Sequence, residues 1–146
     1  MSFFENIFVS LAEMIERYEH QDFLESVTGV CALVATANSR VELAQRVRFD
    51  QVIKLLSRLH CFEKDQVTDR FDKDIAALKK DRAVTQKAIL RKVKETIESK
   101  EDKELILKVC WAMGRADGEI DRKEQEMVEV IAKELGLNLR ETFESY

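Results

Sequence analysis

Val30-Cys31-Ala32-Leu33-Val34-Ala35-Thr36-Ala37 returns in altered form as Val109-Cys110-Trp111-Ala112-Met113-Gly114-Arg115-Ala116. Each copy reads as an apolar helix, followed by a short polar break and then an amphipathic helix ending in a Leu-rich turn. Two copies are too few for a solenoid, which needs at least three. They suit a pseudo-twofold helical domain in which each half buries the other's apolar face. The competing account is chance likeness between two amphipathic helices.

Composition points the same way. The chain of 146 residues has no proline and four glycines, where average usage would supply about seven and ten. Turn-rich β folds and glycine-rich phosphate loops are therefore poor readings. Apolar residues at three- and four-residue steps mark about seven helices. The first carries Phe4, Ile7, Phe8, Leu11, Met14, Ile15 and Tyr18, with Ser2 and Glu5 as a capping box. The second carries Phe23, Val27, Val30, Cys31, Val34 and Ala37. The third opens on a Ser39–Glu42 capping box and carries Val41, Leu43, Val47, Val52, Leu55, Leu56 and Leu59. Val67, Phe71, Ile75 and Leu78 give a fourth, and Ile89, Leu90, Val93 and Ile97 a fifth. The sixth carries Leu105, Ile106, Val109, Cys110, Ala112 and Met113, and the seventh Met127, Val128, Ile131 and Leu135. Gly136 then stands where a left-handed cap belongs, and Asn138 with Glu141 caps a last short turn. The expected fold is all-α, one compact domain over 1–146 with halves of roughly 1–78 and 79–146.

Formal net charge is −4, unevenly spread. Residues 1–36 carry six acids and one base, 79–94 seven bases and one acid, and 117–146 nine acids and four bases. Cys31, Cys61 and Cys110 form no CxxC pattern and read as reduced thiols. No apolar run approaches the ~18–20 residues of a membrane span. The N-terminus shows neither a basic n-region nor a small-residue cleavage site, and a cytoplasmic setting is expected.

Asp117-Gly118-Glu119-Ile120-Asp121-Arg122-Lys123-Glu124 is the segment richest in chemistry. Asp117, Asp121 and Glu124 crowd hard oxygens around one helix start, as calcium or magnesium would require. The spacing matches the second half of an EF-hand loop, but Met113 and Arg115 fall where its first ligands belong. Asp121 and Glu124 serve equally as N-cap and third residue of a capping box, so both readings stand. Lys80, Lys87, Arg91 and Lys94 read as a stripe along one helix, fit for an acidic protein face or phosphate. No aromatic residue interleaves them, so nucleic acid is not expected. His20 and His60 read as residues of helix C-termini, where the dipole favours them. HExxH, GxSxG, Walker A and GxGxxG motifs are absent.

The assembled residues resemble the tellurite-resistance TerB family over essentially the whole chain. The likeness is strongest in Phe23-Leu24-Glu25-Ser26-Val27-Thr28-Gly29-Val30-Cys31-Ala32, and in Leu107–Gly118 running on through Ile131-Ala132-Lys133-Glu134-Leu135-Gly136. The resemblance implies two related helical halves and no known enzymatic activity. It implies stress operons that confer tellurite resistance and are linked to phage and colicin resistance. It also implies a membrane-embedded partner and calcium-binding partners. An acidic metal-chelating motif is implied at the polar break of each half, matched here by Asp117 and Glu124, with Asp121 an addition. The first half departs: Ser39 and Arg40 replace the Asp-Gly pair, and Ala44 and Gln45 stand near the acidic position.

The expectation is thus a non-enzymatic cytoplasmic adaptor or sensor of a tellurite and envelope-stress system. It would bind one calcium or magnesium ion weakly through Asp117, Asp121 and Glu124. It would dock on operon-encoded protein partners, an integral-membrane protein among them, through Lys80, Lys87, Arg91 and Lys94, and so lie at the inner face of the membrane. The alternatives are a thiol enzyme handling tellurite through Cys31, Cys61 or Cys110, and a basic-face nucleic-acid binder.

Overall fold

A helix without a charged side chain between Ser26 and Ala35 has no face to give to water, and the structure buries it on all sides. In the computed structural model, which describes residues 3–38, 43–58, 63–115 and 119–143, this is α2 (His20–Ala35), preceded by α1 (Phe3–Met14) and a 3-10 turn over Ile15–Arg17. The chain continues through α3 (Leu43–Arg58), α4 (Lys64–Lys80), α5 (Arg82–Thr96), α6 (Lys100–Gly114), α7 (Arg122–Glu134) and α8 (Leu139–Thr142). Every described element is helical. α2 packs against α4, α5, α6 and α7, and every residue from Ser26 to Ala35 is buried. Its buried hydroxyls bond back to carbonyls one turn earlier: Ser26 Oγ to Asp22 at 2.9 Å and Thr28 Oγ1 to Leu24 at 2.9 Å. Each thereby avoids the cost of an unpaired buried polar atom.

The ends of α2 are satisfied by side chains. Glu19 accepts from the backbone N–H groups of Gln21 and Asp22. At the other end the Arg82 guanidinium donates to the Leu33 and Thr36 carbonyls and to Thr36 Oγ1, at 3.2, 3.3 and 2.8 Å. A cation there meets the negative end of the helix dipole. Close approach of α5 is possible at Gly29, where an added Cβ would lie 2.8 Å from Ile89 Cγ2.

The repeat is carried by the whole helix order. α1, α2 and α3 begin 79 or 80 residues before α5, α6 and α7. α1 packs on α6 as α5 packs on α2, and α3 meets α6 as α7 meets α2. α4 stands between the triplets, its Phe71 stacked on Phe49 of α3 at 3.8 Å between ring centroids.

Gly136 adopts φ 72°. Its N–H reaches the Lys133 carbonyl at 3.1 Å, and that of Leu137 reaches Ala132 at 2.8 Å, a Schellman closure of α7. Asn138 caps α8 through the Glu141 N–H.

Four expectations need correction or fall outside. Val47 and Leu43 do not join the core; they are 51% and 79% exposed, because α3 turns Gln45 and Phe49 inward instead. His20 opens α2 rather than closing a helix, because the 3-10 turn ends the preceding segment. Lys80 does not share a helix with Lys87, Arg91 and Lys94. It ends α4, and Asp81 breaks the chain there and caps α5 through the Val84 N–H at 3.2 Å. The Ser2 cap, the Ser39–Glu42 box, His60 and Gly118 lie outside the described residues.

One buried carboxylate ties the halves together. Asp102, 3% exposed, accepts from Arg17 through both Nε and Nη2, and from Tyr18 OH at 2.6 Å. Burial alone would raise its pKa; the Arg17 and Tyr18 hydrogen bonds outweigh that and hold the carboxyl below its ordinary value. Its stabilising contribution is therefore present above the unfolded carboxylate value, about 3.9, and is lost as pH falls through the lower folded value. Urea midpoints measured from pH 7 downward should drop over that interval, and Asp102→Asn should reduce the drop. An Asp102→Asn profile parallel to wild type would count against this role.

Candidate functional site

The start of α7 meets Asn38, just after α2, and Gln45 of α3. Asp121 is the N-cap of α7: its Oδ1 accepts from the Glu124 N–H at 2.7 Å, and Glu124 Oε1 accepts from the Asp121 N–H at 3.2 Å. Both bonds of a capping box are present. The remaining oxygens take donors from the first half. Asn38 Nδ2 donates to Asp121 Oδ2 at 2.9 Å, and Gln45 Nε2 donates to Glu124 Oε2. Gln45 and Glu124 are 79 residues apart, the separation of the repeat, so each occupies the other's place in its own half. Both are buried, at 2% and 4% exposure. Burial opposes the Asp121 charge, but bonds from the Glu124 amide and the Asn38 side chain lower its pKa below the ordinary carboxylate value.

The donor set can be tested against the cation that the resemblance implies. All four oxygens of Asp121 and Glu124 already accept N–H bonds. Two of those donors are amide groups whose hydrogens carry the same sign as a cation. The Asn38 Oδ1 is buried and has no hydrogen-bond partner among the described residues, on the opposite end of the amide that reaches Asp121. Among the described residues, no group of three or more His, Cys, Asp or Glu side chains is placed to hold a metal. Among the described residues this arrangement fits capping and does not fit a cation seat. Asp117 lies outside the described residues.

The basic segment is divided in its duties. Arg82 closes α2, and Lys92 pairs with Asp22 and Glu25 of α2 at 2.5 and 3.3 Å. Lys87, Arg91 and Lys94 line a groove of about 480 Å³ between α5 and α7, with Leu90, Val130 and Glu134. Lys94 stands 3.8 Å from Glu134. Lys80, Lys87 and Arg91 are exposed.

Cys31 and Cys110 are buried free thiols in facing helices. Burial pushes the Cys31 pKa up to about 12; it also raises that of Cys110, with a smaller contribution from Cys31. Cys61 lies outside the described residues.

Sequence reasoning found the capping box because its two members are three residues apart. It named Gln45 only as a lost ligand, and it overlooked Asn38. The signal that finds both is the constant separation of 79, which corrects the expected register by one residue: Asn38, not Ser39, corresponds to Asp117, and Gln45 corresponds to Glu124. If Asp121 acts as a cap, Asp121→Asn should change stability by only a few tenths of a kcal/mol, whereas Asp121→Ala should cost about 1 kcal/mol. Chemical denaturation of both variants reads this, and equal losses would set the capping role aside.

The family model described as "Tellurite resistance protein TerB" matches residues 24–144. No curated protein matches the chain, and no solved structure does. The matched span runs from within α2 through α8 and leaves out α1, and the chain belongs to the TerB family, whose membership supports a tellurite-resistance-associated role.

Proposed function

We propose that this TerB-family chain is a non-enzymatic cytoplasmic adaptor of a tellurite and envelope-stress system, docking on an acidic face of a protein partner through the α5–α7 groove. The observation that carries this reading is the group Lys80, Lys87 and Arg91: three exposed cations that make no ion pair among the described residues, although the chain is acidic overall. Arg82 and Lys92 of the same stretch are held by α2, and Lys94 faces Glu134. Lys87 and Arg91 flank a groove whose walls include Leu90 and the 41%-exposed Val130. The lining also holds Glu95 and Glu134, the latter facing Lys94; Lys87 and Arg91 beside the apolar strip suit an amphipathic helix with an acidic face. No helix among the described residues is long and apolar enough to cross a membrane, so the membrane association in this reading runs through the partner.

The experiment is tellurite tolerance in cells that depend on this chain, together with co-sedimentation of the chain with membranes from those cells. Lys87→Glu/Arg91→Glu should keep the wild-type melting temperature, lose membrane co-sedimentation and reduce tolerance. Wild-type co-sedimentation should itself weaken as salt rises, since exposed charges are screened over ~8 Å at physiological ionic strength. Unchanged co-sedimentation of a folded double variant would remove the groove from the reading.

For Cys31 and Cys110 the thiol alternative is disfavoured by chemistry. The thiolate is the nucleophile, and burial keeps Cys31 and Cys110 protonated at neutral pH. Replacing Cys31, Cys61 and Cys110 together by alanine should leave tellurite tolerance largely intact in protein shown to be folded and abundant. Lost tolerance under those conditions would reinstate the thiol reading.

A further inference from the structure

The junction between the repeats is asymmetric where the fold is symmetric. At equivalent places the second half contributes a carboxylate, Glu124, and the first an amide, Gln45; their side chains meet across the centre of the repeat. Asn38 does the same to Asp121 at the rim. Two carboxylates in this geometry would repel and would need a proton shared between them or a cation. An amide against a carboxylate requires neither, because the N–H supplies the positive end internally.

We propose that Asn38 and Gln45 close this junction in place of a divalent cation, so that the stability of this chain does not depend on calcium or magnesium. The orientation of Asn38 supports this. Turning that amide over would set its oxygen against Asp121 Oδ2 at the 2.9 Å now spanned by the N–H bond, a contact that repels unless a cation or a proton lies between the oxygens. In the present orientation Asn38 leaves its own oxygen buried and without a partner among the described residues in order to place its N–H on the carboxylate. A cation entering the junction would first have to displace both amide groups from the charges they neutralise. This inference concerns the α3–α7 junction and is independent of docking through the α5–α7 groove.

Reversal by substitution follows from the same geometry. Gln45→Glu restores a carboxylate pair at the buried centre, and Asn38→Asp restores one at the rim. The test is thermal unfolding of the full chain in EDTA and in millimolar calcium chloride or magnesium chloride, with calorimetric titration of each cation. Wild type should melt at the same temperature in all three media and give no binding heat. Gln45→Glu should melt about 5 °C or more below wild type in EDTA and recover most of that loss in calcium. Asn38→Asp should show the same pattern with a smaller loss. Gln45→Leu, which removes the donor without adding charge, should be destabilised equally in every medium. Should Gln45→Glu fail to fold in any medium, Asn38→Asp decides by itself. A wild-type melting temperature raised by either cation, or a stoichiometric binding heat, would overturn the proposal. So would cation-indifferent unfolding of the folded carboxylate variants.

Discussion

Complete burial of α2 is the constraint from which the rest of the architecture follows. A helix with neighbours on every side admits charge only near its ends, and its polar atoms must be answered locally or by the elements around it. Ser26 and Thr28 bond back along the helix. Arg82 crosses from α5 to take up the last carbonyls. Lys92 reaches Asp22 and Glu25 near the start. Gly29 removes the side chain that would hold α5 away. Two bases of the most basic stretch thus belong to the core's boundary, and only the cations pointing away from α2 remain available to a partner.

The pseudo-twofold arrangement explains where polar groups can be buried. At one pair of equivalent positions the first half has Phe23 and the second Asp102; both are buried. Asp102 remains charged because Arg17 and Tyr18 come to it from the first half. At a second pair, Gln45 and Glu124 answer each other. In both cases one copy supplies the charge and the opposite half supplies the donors. At the Gln45–Glu124 contact a strictly symmetric sequence would place like groups face to face, and divergence of the copies is what allows a polar pair there. Both polar contacts fix the register of one half on the other.

Helices were legible in the sequence wherever their inward face was a simple apolar stripe, as in Val67, Phe71, Ile75 and Leu78. The reading failed where the inward face was mixed. On α3 the residues turned inward include Gln45, which no hydropathy pattern selects, while Val47 faces solvent. The cationic stripe was drawn through Asp81 because its members keep helical spacing on both sides; spacing alone does not register a one-residue break in φ and ψ. The capping box was legible because it is local. Its amide partners lie 79 and 83 residues away, and only the register of the repeat connects them to it.

The two charged regions of the surface are accordingly opposite in kind. At the α7 N-terminus, negative side chains meet the positive end of a helix dipole, two backbone N–H groups and two side-chain amides. Those bonds compensate the charge from within the fold. Along α5, Lys87 and Arg91 lie away from the helix's last turn, where the dipole would have offered them compensation. Their charge remains in solvent. An internally compensated site resists ligands because binding must undo bonds already made. An uncompensated one attracts them at the cost of solvation alone. The same folding solution that closes the junction between the repeats therefore leaves the α5–α7 groove as the electrostatically open face of the protein.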